Sequence, residues 1–347
     1  MQKISVAVLG ATGTVGQKFI TLLDNHPLFS VEELVASPRS AGKPYKQAAA
    51  WKQPQPIPAH IAGKIVKSLD ETLSSQILFS GLDSSVAGEA ETKLAEAGHI
   101  VISNSKNHRM DADVPIIIPE VNPDHFDILK SQKTKGKIIT NSNCSTMFLA
   151  MALAPLHRKY GVDKVQVTTM QAVSGAGYPG VSSLDIMGNV VPYISGEEEK
   201  MEAETAKILG SLHGGTITPA DITVSAQCNR VAVIDGHTET VSFSLKSSPS
   251  IEEVRQTLKD FRGMPQEKQL PFAPQNPILV LDDPDRPQPA RDAFLDKAMA
   301  TVVGRLRSCP VLGYKMVIMG HNTVRGAAGA AILNAEAMHS LGLLEKN

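Results

Sequence analysis

The sequence predicts an α/β protein, with a mostly parallel sheet covered by helices in the first part of the chain and an α+β unit in the second. In the first 143 residues, short apolar runs alternate with segments of helical apolar spacing, which is typical of parallel strands joined by crossover helices. After Tyr160, longer segments alternate apolar and polar residues, which favours half-buried strands of an antiparallel or mixed sheet. We therefore expect two domains, formed by 1–143 with 323–347 and by 144–322.

The elements of the first half follow from these runs. The apolar run 4–9 ends at Gly10 and predicts a strand, and 15–23 carries apolar residues at helical spacing. We expect further strands at 34–36, 77–79, 100–102, 116–118 and 138–139, and further helices at 86–97 and 147–160.

The second half is predicted from alternation and turn signals. Strands are expected at 164–171, 222–233, 237–245, 300–306 and 315–319, a helix at 197–209, and proline-rich loops at 264–277 and 282–289. Asp235-Gly236 between two alternating segments is a strong signal for a two-residue hairpin turn. The last segment, 323–344, is rich in glycine and alanine, and we expect a helix that packs back on the first domain.

Composition is that of an ordinary globular protein. Of the 347 residues 42% are hydrophobic and 20% charged, and the formal net charge is −1, so bulk charge gives no sign of nucleic-acid or anionic-membrane binding. The start reads as a strand and not as a signal peptide, and no apolar run is long enough for a transmembrane helix. Cys144, Cys228 and Cys309 lie far apart without metal-ligand spacing, so we expect no metal site and a reducing cytoplasm.

A glycine pattern follows the first predicted strand and opens the first predicted helix. Glycines in such a turn allow the backbone to approach a pyrophosphate, which the helix N-terminus then faces. A turn that merely joins strand to helix is the alternative, but the strand–turn–helix context favours nucleotide binding. The candidate contacts are Gly10, Thr12, Gly13, Thr14, Val15 and Gly16.

The end of the second strand favours NADP over NAD. NAD enzymes usually place a carboxylate there for the ribose 2′-hydroxyl, whereas this chain has two hydroxyls and two cations: Ser37, Arg39, Ser40 and Lys43. Arginine can grip a 2′-phosphate bidentately. The alternative is a solvated loop, since surface cations are common.

The stretch Asn-Ser-Asn-Cys-Ser-Thr, 141–146, places Cys144 between a predicted strand and a predicted helix. Unpaired N–H groups and the macrodipole at a helix N-terminus favour negative charge. We therefore predict a lowered thiol pKa and a nucleophilic thiolate. A small buried hydrophobe is the alternative for any free cysteine.

Polar residues of the second half suit a cleft. Gln171 ends a predicted strand before a glycine loop, and Arg230 lies in an otherwise uncharged run where it would need an anionic partner. With a turn at Asp235-Gly236, His237 would share the face of Arg230, although a surface histidine is the alternative. Glu197 and Lys200 share one helix face, and a solvated ion pair is the other interpretation.

These segments together resemble aspartate-β-semialdehyde dehydrogenase, in particular its archaeal and fungal branch. The family's order is followed by Gly-Ala-Thr-Gly-Thr-Val-Gly, Ser-Asn-Cys-Ser-Thr, Gln-Ala-Val-Ser-Gly-Ala-Gly and Asn-Arg-Val-Ala-Val-Ile-Asp-Gly-His-Thr-Glu. The resemblance runs from residue 4 to about 336. It implies a Rossmann-type domain that binds NADP, and an α+β domain that carries catalysis and dimerisation in a homodimer or homotetramer.

The resemblance also implies a reaction, the reductive dephosphorylation of L-aspartyl-4-phosphate by NADPH to L-aspartate 4-semialdehyde. By it, Cys144 would be the nucleophile, Gln171 would orient the acyl group and His237 would be the general acid/base. Substrate contacts would come from Arg230 on the α-carboxylate, Glu197 on the amine, Arg109 and Lys200 on phosphate, and Asn143 on phosphate or acyl oxygen. Ser174, Gly175 and Asn322 would contact the cofactor. Where the family suggests Leu-Arg-Lys-Gly after Asn322, this chain has Thr-Val-Arg-Gly.

Two alternatives remain at this stage. A related NADP-dependent acyl-CoA reductase, of the malonyl-CoA type, would use the same cysteine, and Arg230 would also suit its substrate's carboxylate. Glu197 favours an amino-acid substrate, because it can pair with an ammonium group. A non-catalytic NADP-sensing protein is disfavoured because the four polar groups, Cys144, Gln171, Arg230 and His237, are all present.

Overall fold

The computed structural model describes residues 3–344, which contain two six-stranded sheets and one small hairpin. The first sheet is parallel, with strand order β3-β2-β1-β4-β5-β6. Its strands are β1 Ile4–Leu9, β2 Phe29–Val35, β3 Val66–Lys67, β4 Ile77–Ser80, β5 Ile100–Ser103 and β6 Lys137–Thr140. Helices α1 Thr14–Leu23, α2 Tyr45–Ala48, α3 Ala59–Ala62 and α4 Ser84–Ala97, and a 3₁₀ helix Pro123–Ser131, connect them.

The strand order places a crevice between β1 and β4. The chain proceeds outward from β1 through β2 to β3 and then returns to β4 on the other side of β1. At such a switch point the connections diverge, which leaves space for a ligand at the carboxyl ends of the strands. Gly10 follows β1 with φ +72°, and a Cβ there would lie 2.6 Å from the carbonyl oxygen of Gly81, which follows β4. Glycine at this position therefore lets the two turns meet.

The second sheet is mixed and has the order β10-β7-β11-β14-β13-β12. Its strands are β7 Val162–Gln171, β10 Thr223–Arg230, β11 His237–Leu245, β12 Ile278–Val280, β13 Thr301–Cys309 and β14 Gly313–Gly320, and β8 Ser211–His213 and β9 Thr216–Thr218 form the separate hairpin. The helices are α5 Cys144–Tyr160, α6 Ser183–Ile186, α7 Glu197–Ile208, α8 Ile251–Asp260, α9 Met264–Glu267, α10 Pro289–Asp292, α11 Leu295–Ala298 and α12 Gly329–Ser340, with a π-helical turn Val324–Ala328 before α12.

Helix α5 is the central element of the second core. Every residue from Ser145 to Leu156 is buried, as expected for a helix that is apolar on all sides. It shares one apolar cluster with the inner faces of β7 and β11 and with Ile116 and Ile118 of the first half. The nucleophile candidate therefore stands at the start of a rigid helix.

The expected fold class is confirmed. Three local predictions are wrong, and one of them is the loop at 264–277, which begins with the short helix α9. Residues 116–118 form no strand, only an isolated bridge from Ile116 to Thr140, because Pro115 and Pro119 lack N–H groups and the Ile118 N–H is bound by the Asn122 side chain. The hairpin at Asp235-Gly236 is also absent from the described residues. Strands β10 and β11 lie on opposite sides of β7, so the chain crosses the end of β7 instead of turning back.

The last helix packs on the first sheet, as expected. Ala331, Ile332 and Leu333 of α12 belong to the same apolar cluster as β1 and α1. Within residues 3–344, no helix is long and apolar enough to cross a membrane. The domain division 1–143 with 323–347 and 144–322 stays a prediction, in agreement with the two sheets.

Candidate active site

Cys144 is the first residue of α5, and Asn143 caps that helix. The Asn143 Oδ1 accepts the backbone N–H groups of Ser145 and Thr146 at 3.0 and 3.2 Å, which is the usual contribution of an Asn N-cap. Cys144 as a residue is half-buried, and its Sγ lies 3.2 Å from His237 Nε2. The structure therefore places the thiol beside an imidazole.

The expected lowering of the thiol pKa is wrong for this structure. Burial raises the pKa of Cys144 to about 12, and the negative charge of Glu197 acts in the same direction. Arg230, Arg109 and the Ser145 N–H lower that pKa but do not compensate. Desolvation therefore opposes the thiolate more strongly than the helix N-terminus stabilises it.

Gln171, Arg230 and His237 come together at the ends of three adjacent strands. Arg230 pairs with Gln171 across β10 and β7, and His237 begins β11 on the other side of β7. All three side chains are buried. The predicted proximity of Arg230 and His237 is therefore observed, but β7 lies between their strands and the proposed hairpin does not produce it.

The His237 ring is held in one orientation by the backbone. The Ala172 N–H donates to Nδ1 at 3.0 Å, so the neutral ring carries its proton on Nε2 and donates it toward the Cys144 sulfur. Burial, followed by the charge of Arg230, holds the pKa of His237 well below its usual range. The resting pair is consequently a neutral imidazole beside a neutral thiol.

Gly175 packs against the side chains of Arg230 and His237. A Cβ at Gly175 would lie 2.9 Å from Arg230 Nη1 and 3.0 Å from His237 Cε1. Arg230 Nη1 donates to the Ala172 carbonyl at 2.8 Å, which fixes the guanidinium below the loop. Burial lowers the pKa of Arg230, although the guanidinium stays charged at neutral pH.

Glu197 is the acidic centre of the site. Its carboxylate accepts Lys200 Nζ at 2.8 Å, Asn143 Nδ2 at 2.8 Å and Gln171 Nε2 at 3.3 Å. Burial acts to raise the pKa of Glu197, but the charge of Lys200 and these hydrogen bonds outweigh it, and the pKa is lowered. The carboxylate is therefore charged beside the nucleophile.

One cavity of about 1180 Å³ joins the nucleophile to the crevice of the first sheet. Cys144, Gln171, Glu197 and Arg230 line one end of it, and Gly10, Thr12, Gly13, Thr14 and Val15 line the other. Arg109, Lys200, Asn143, Ser174, Gly175 and Asn322 also line it. The thiol thus lies in the same cleft as the glycine turn.

The glycine turn has the properties of a pyrophosphate cradle. Helix α1 begins after Gly13 without a side-chain cap from residues 3–344, so its first N–H groups remain available to an anion. Gly16 does not line the cavity. A Cβ at Gly16 would lie 2.2 Å from the Gly10 carbonyl oxygen, so this glycine lets α1 pack against the turn.

The residues expected at the 2′-phosphate are only partly assembled. Ser37 lines the cavity. Arg39 and Lys43 are exposed outside its lining, with Lys43 Nζ donating to the Arg39 carbonyl at 2.8 Å. Ser40 is buried and also lies outside the lining. Its backbone N–H donates to the Ser37 carbonyl at 2.8 Å, and the resulting turn directs the residue inward. The binding roles of these residues stay predictions.

Asn322 positions the glycine loop. Its Nδ2 donates to Ser174 Oγ at 2.8 Å, and its Oδ1 accepts the Gly236 N–H at 2.9 Å. The Arg325 that follows in the divergent segment is fully buried and forms a bidentate pair with Glu120 at 2.9 and 2.7 Å. That arginine therefore anchors the π-helical turn and does not line the cleft.

Several residues that support the site from behind were missed by sequence reasoning. Glu204 binds both Arg109 and the Asn143 backbone, and Lys207 donates to three carbonyls of the Arg109 loop. Gly326 lies against Cys144, since a Cβ there would be 2.9 Å from the Cys144 Cβ. In sequence, the first two are only charges on a polar helix and the third only a glycine.

Comparison with known proteins agrees with this geometry. Residues 5–129 match the model of the semialdehyde dehydrogenase NAD-binding domain, and residues 153–325 match that of the semialdehyde dehydrogenase dimerisation domain. An aspartate-semialdehyde dehydrogenase of Methanothermobacter thermautotrophicus is 47% identical over 97% of this chain and 99% of its own length. One of Schizosaccharomyces pombe is 49% identical over 98% and 99%. The chain belongs to the aspartate-semialdehyde dehydrogenase family.

Solved structures extend the likeness to three dimensions. A structure of aspartate semialdehyde dehydrogenase with NADP from Candida albicans has a TM-score of 0.92 and 46% identity, and the match covers 99% of this chain and 100% of that one. Aspartate semialdehyde dehydrogenase II from Vibrio cholerae has a TM-score of 0.79 at 28% identity, with 98% and 99% covered. The predicted resemblance to the archaeal and fungal members is confirmed. In residues 3–344, no group of three or more His, Cys, Asp or Glu side chains could hold a metal ion.

Proposed function

We propose that this chain catalyses the NADPH-dependent reductive dephosphorylation of L-aspartyl-4-phosphate to L-aspartate 4-semialdehyde, in the biosynthesis of lysine, threonine and methionine. The observation that carries the proposal is the Cys144 sulfur 3.2 Å from His237 Nε2, in one cavity with the glycine turn. The related Candida albicans structure is described with NADP, and the uncapped start of α1 suits a pyrophosphate. NADPH supplies the hydride when bound.

The nucleophile acts as an acyl carrier. Cys144 Sγ attacks the acyl carbon, a C–S bond forms, the bond from that carbon to the phosphate oxygen breaks, and the departing phosphate takes the thiol proton. The thioester is a better hydride acceptor than a carboxylate, and after its reduction the C–S bond breaks and the thiolate returns. Gln171 orients the acyl group from the end of β7.

His237 supports the sulfur as an anion. With Nδ1 bound by the Ala172 N–H, the ring donates Nε2–H to the sulfur while it loses its proton during attack, and again when it leaves as a thiolate. To accept a proton at Nε2, the neutral ring would first have to carry its own proton on Nδ1. That proton would then face the Ala172 N–H, which needs Nδ1 as its acceptor. The donor role is therefore favoured within the expected acid–base role.

The substrate's charges meet complementary groups. Arg230 would bind the α-carboxylate and Glu197 the ammonium group. Arg109 and Lys200 would bind the phosphate, each a cation lining the cavity near Cys144. The Oδ1 of Asn143 and one of its two Nδ2–H groups already form hydrogen bonds. Its proposed contact with the phosphate or acyl oxygen would therefore use the second Nδ2–H. A malonyl-CoA reductase is not favoured, since the relatives at 47–49% identity are aspartate-semialdehyde dehydrogenases.

The protein is further proposed to be a cytoplasmic homodimer or homotetramer, with 1–143 and 323–347 binding NADP and 144–322 carrying catalysis and dimerisation. One face of the second sheet is open, with Lys164, Gln166 and Thr240 exposed, and residues 153–325 match a dimerisation domain. Light scattering on the purified chain would distinguish dimer from tetramer, and a monomer would contradict the proposal.

The activity is tested in the reverse direction with L-aspartate 4-semialdehyde, phosphate and either NADP or NAD. We expect phosphate-dependent formation of NADPH, a lower rate with NAD, and no oxidation of NADPH by malonyl-CoA. Removal of the Arg39 guanidinium in Arg39→Ala should raise the KM for NADP by about 10-fold and leave that for NAD unchanged. Turnover that does not require phosphate would refute the proposed reaction.

A further inference from the structure

Helix α7 carries a buried carboxylate that touches both sides of the cleft. Glu204 is 2% exposed. Its Oε1 accepts Arg109 Nη1 at 2.8 Å and its Oε2 accepts the Asn143 backbone N–H at 2.6 Å. Charge-assisted hydrogen bonds of this length are among the strong ones.

The two groups bound by Glu204 have different tasks. Arg109 lies in the loop after β5 of the first sheet and lines the cavity. Asn143 caps α5 through its side chain and directly precedes Cys144. A displacement of the Asn143 backbone would therefore move the nucleophile, and a displacement of the guanidinium would move a cation expected to bind phosphate.

Glu204 also determines which part of Arg109 is left for a ligand. Nη1 binds Glu204 and Nη2 donates to the Asn104 carbonyl at 2.8 Å. The buried Nε has no partner among the described residues. Two of the five N–H donors of the guanidinium are thereby in use, which fixes the orientation of the cation that lines the cavity.

Lys207, one turn further along α7, provides a comparison. Its Nζ donates to the carbonyls of Arg109, Asp111 and Val114 at 2.7, 2.8 and 2.9 Å. It therefore holds the backbone of the Arg109 loop but makes no hydrogen bond to Asn143 or Cys144. Burial lowers the pKa of Lys207 to about 8.

We propose that Glu204 is a positioning residue that couples the phosphate site to the nucleophile. It fixes the guanidinium of Arg109 relative to the N-cap of the nucleophile helix, so that the leaving phosphate and the attacking sulfur are aligned on the same acyl group. This inference rests on the proposed function, because it takes the anion bound at Arg109 to be the substrate's phosphate.

The test uses the phosphate-dependent oxidation of aspartate semialdehyde by full-length Glu204→Gln and Lys207→Met. A glutamine can accept only one of the two donors well, because its NH₂ group would face the other. We expect Glu204→Gln to raise the KM for phosphate and to lower kcat, each by about 10-fold or more, with the KM for NADP within about twofold. Lys207→Met should raise the KM for phosphate but leave kcat within about twofold at saturating phosphate.

A second readout follows the nucleophile without turnover. Alkylation of Cys144 by iodoacetamide, located by peptide mass spectrometry, should be slower in Glu204→Gln and unchanged in Lys207→Met. Glu204→Asp keeps the charge and should restore part of both kcat and alkylation rate, and it carries the test if the glutamine variant does not fold.

Two results would overturn the inference. Unchanged kcat and alkylation in Glu204→Gln would exclude an effect on the nucleophile, and equal effects of Glu204→Gln and Lys207→Met would show that Glu204 acts through the Arg109 loop alone. The wild type is measured first, so a protein without phosphate-dependent activity contradicts the proposed function, whereas an active wild type with an indifferent Glu204 contradicts only this inference.

Discussion

Substitution of Gly326 by alanine should displace the nucleophile without touching a catalytic group. The new Cβ would lie 2.9 Å from the Cys144 Cβ and 3.2 Å from its Cα, whereas carbon atoms in contact prefer about 3.5–4.0 Å. The two segments must therefore separate by about 0.6–1.1 Å. A misplacement of about 1 Å can cost about 100-fold in rate, which corresponds to about 2.7 kcal/mol of activation free energy.

The assay is kcat in the phosphate-dependent direction, measured with the dissociation constant of NADP and the thermal midpoint. Gly63→Ala is the control, because a Cβ there meets nothing within 4 Å and its φ of −92° suits alanine. We expect kcat to fall by about 10- to 100-fold in Gly326→Ala and to be unchanged in Gly63→Ala. A Gly326→Ala protein with wild-type kcat would refute the proposed packing of the π-helical turn against the nucleophile.

Three further predictions follow from the charges. Because burial raises the pKa of Cys144 to about 12, its alkylation rate in the free protein should keep rising up to pH 10, and a plateau below pH 8 would contradict this. Glu239 is fully buried, and burial raises its pKa well above 4.5. The stability that protonated Glu239 contributes to the fold is therefore complete below about pH 4.5 and is lost as pH rises through the folded pKa. Glu239→Gln should consequently unfold at a higher denaturant concentration than the wild type at pH 8 but not at pH 4. Equal shifts at both pH values would contradict the assignment. Arg325→Met leaves the Glu120 carboxylate buried without its cation and should lower the free energy of unfolding by about 3–5 kcal/mol in urea titration, and a loss below about 1 kcal/mol would be inconsistent with the buried pair.

The parallel sheet was predictable because its signals are local. Five of its six strands contain a short apolar run that predicted them, whereas the two-residue strand β3 was not predicted. The glycine turn after β1 identifies the crevice from the sequence alone. The prediction for 116–118 was wrong for an equally local reason, since the prolines on both sides prevent a ladder of hydrogen bonds. The long buried helix α5 was found from its apolar run alone.

Topology of the second sheet was not predictable in the same way. Asp235-Gly236 is a true turn signal, and Gly236 has φ +99°, but the turn belongs to a crossover and not to a hairpin. Which strand lies between β10 and β11 depends on packing between residues far apart in sequence. The approach of Arg230 and His237 was therefore expected for the wrong structural reason.

Charges at the site show the same limit. Cys144 was recognised from its position at a helix start, but its pKa depends on burial and on Glu197, which are properties of the folded protein. Glu204 and Lys207 are charges on an acidic helix, and nothing in the sequence separates them from solvated neighbours such as Glu199. Their role is visible only once the Arg109 loop lies against α7.

The central claim is that the Cys144 sulfur carries the acyl group. The most direct test is to mix the protein with L-aspartyl-4-phosphate in the absence of cofactor, quench the reaction, and analyse the peptides by mass spectrometry. We predict one aspartyl group on the peptide that contains Cys144, lost on addition of NADPH and missing from Cys144→Ala. An unmodified Cys144 peptide in a sample that still reduces aspartyl phosphate, or the group on Cys228 or Cys309, would contradict the account.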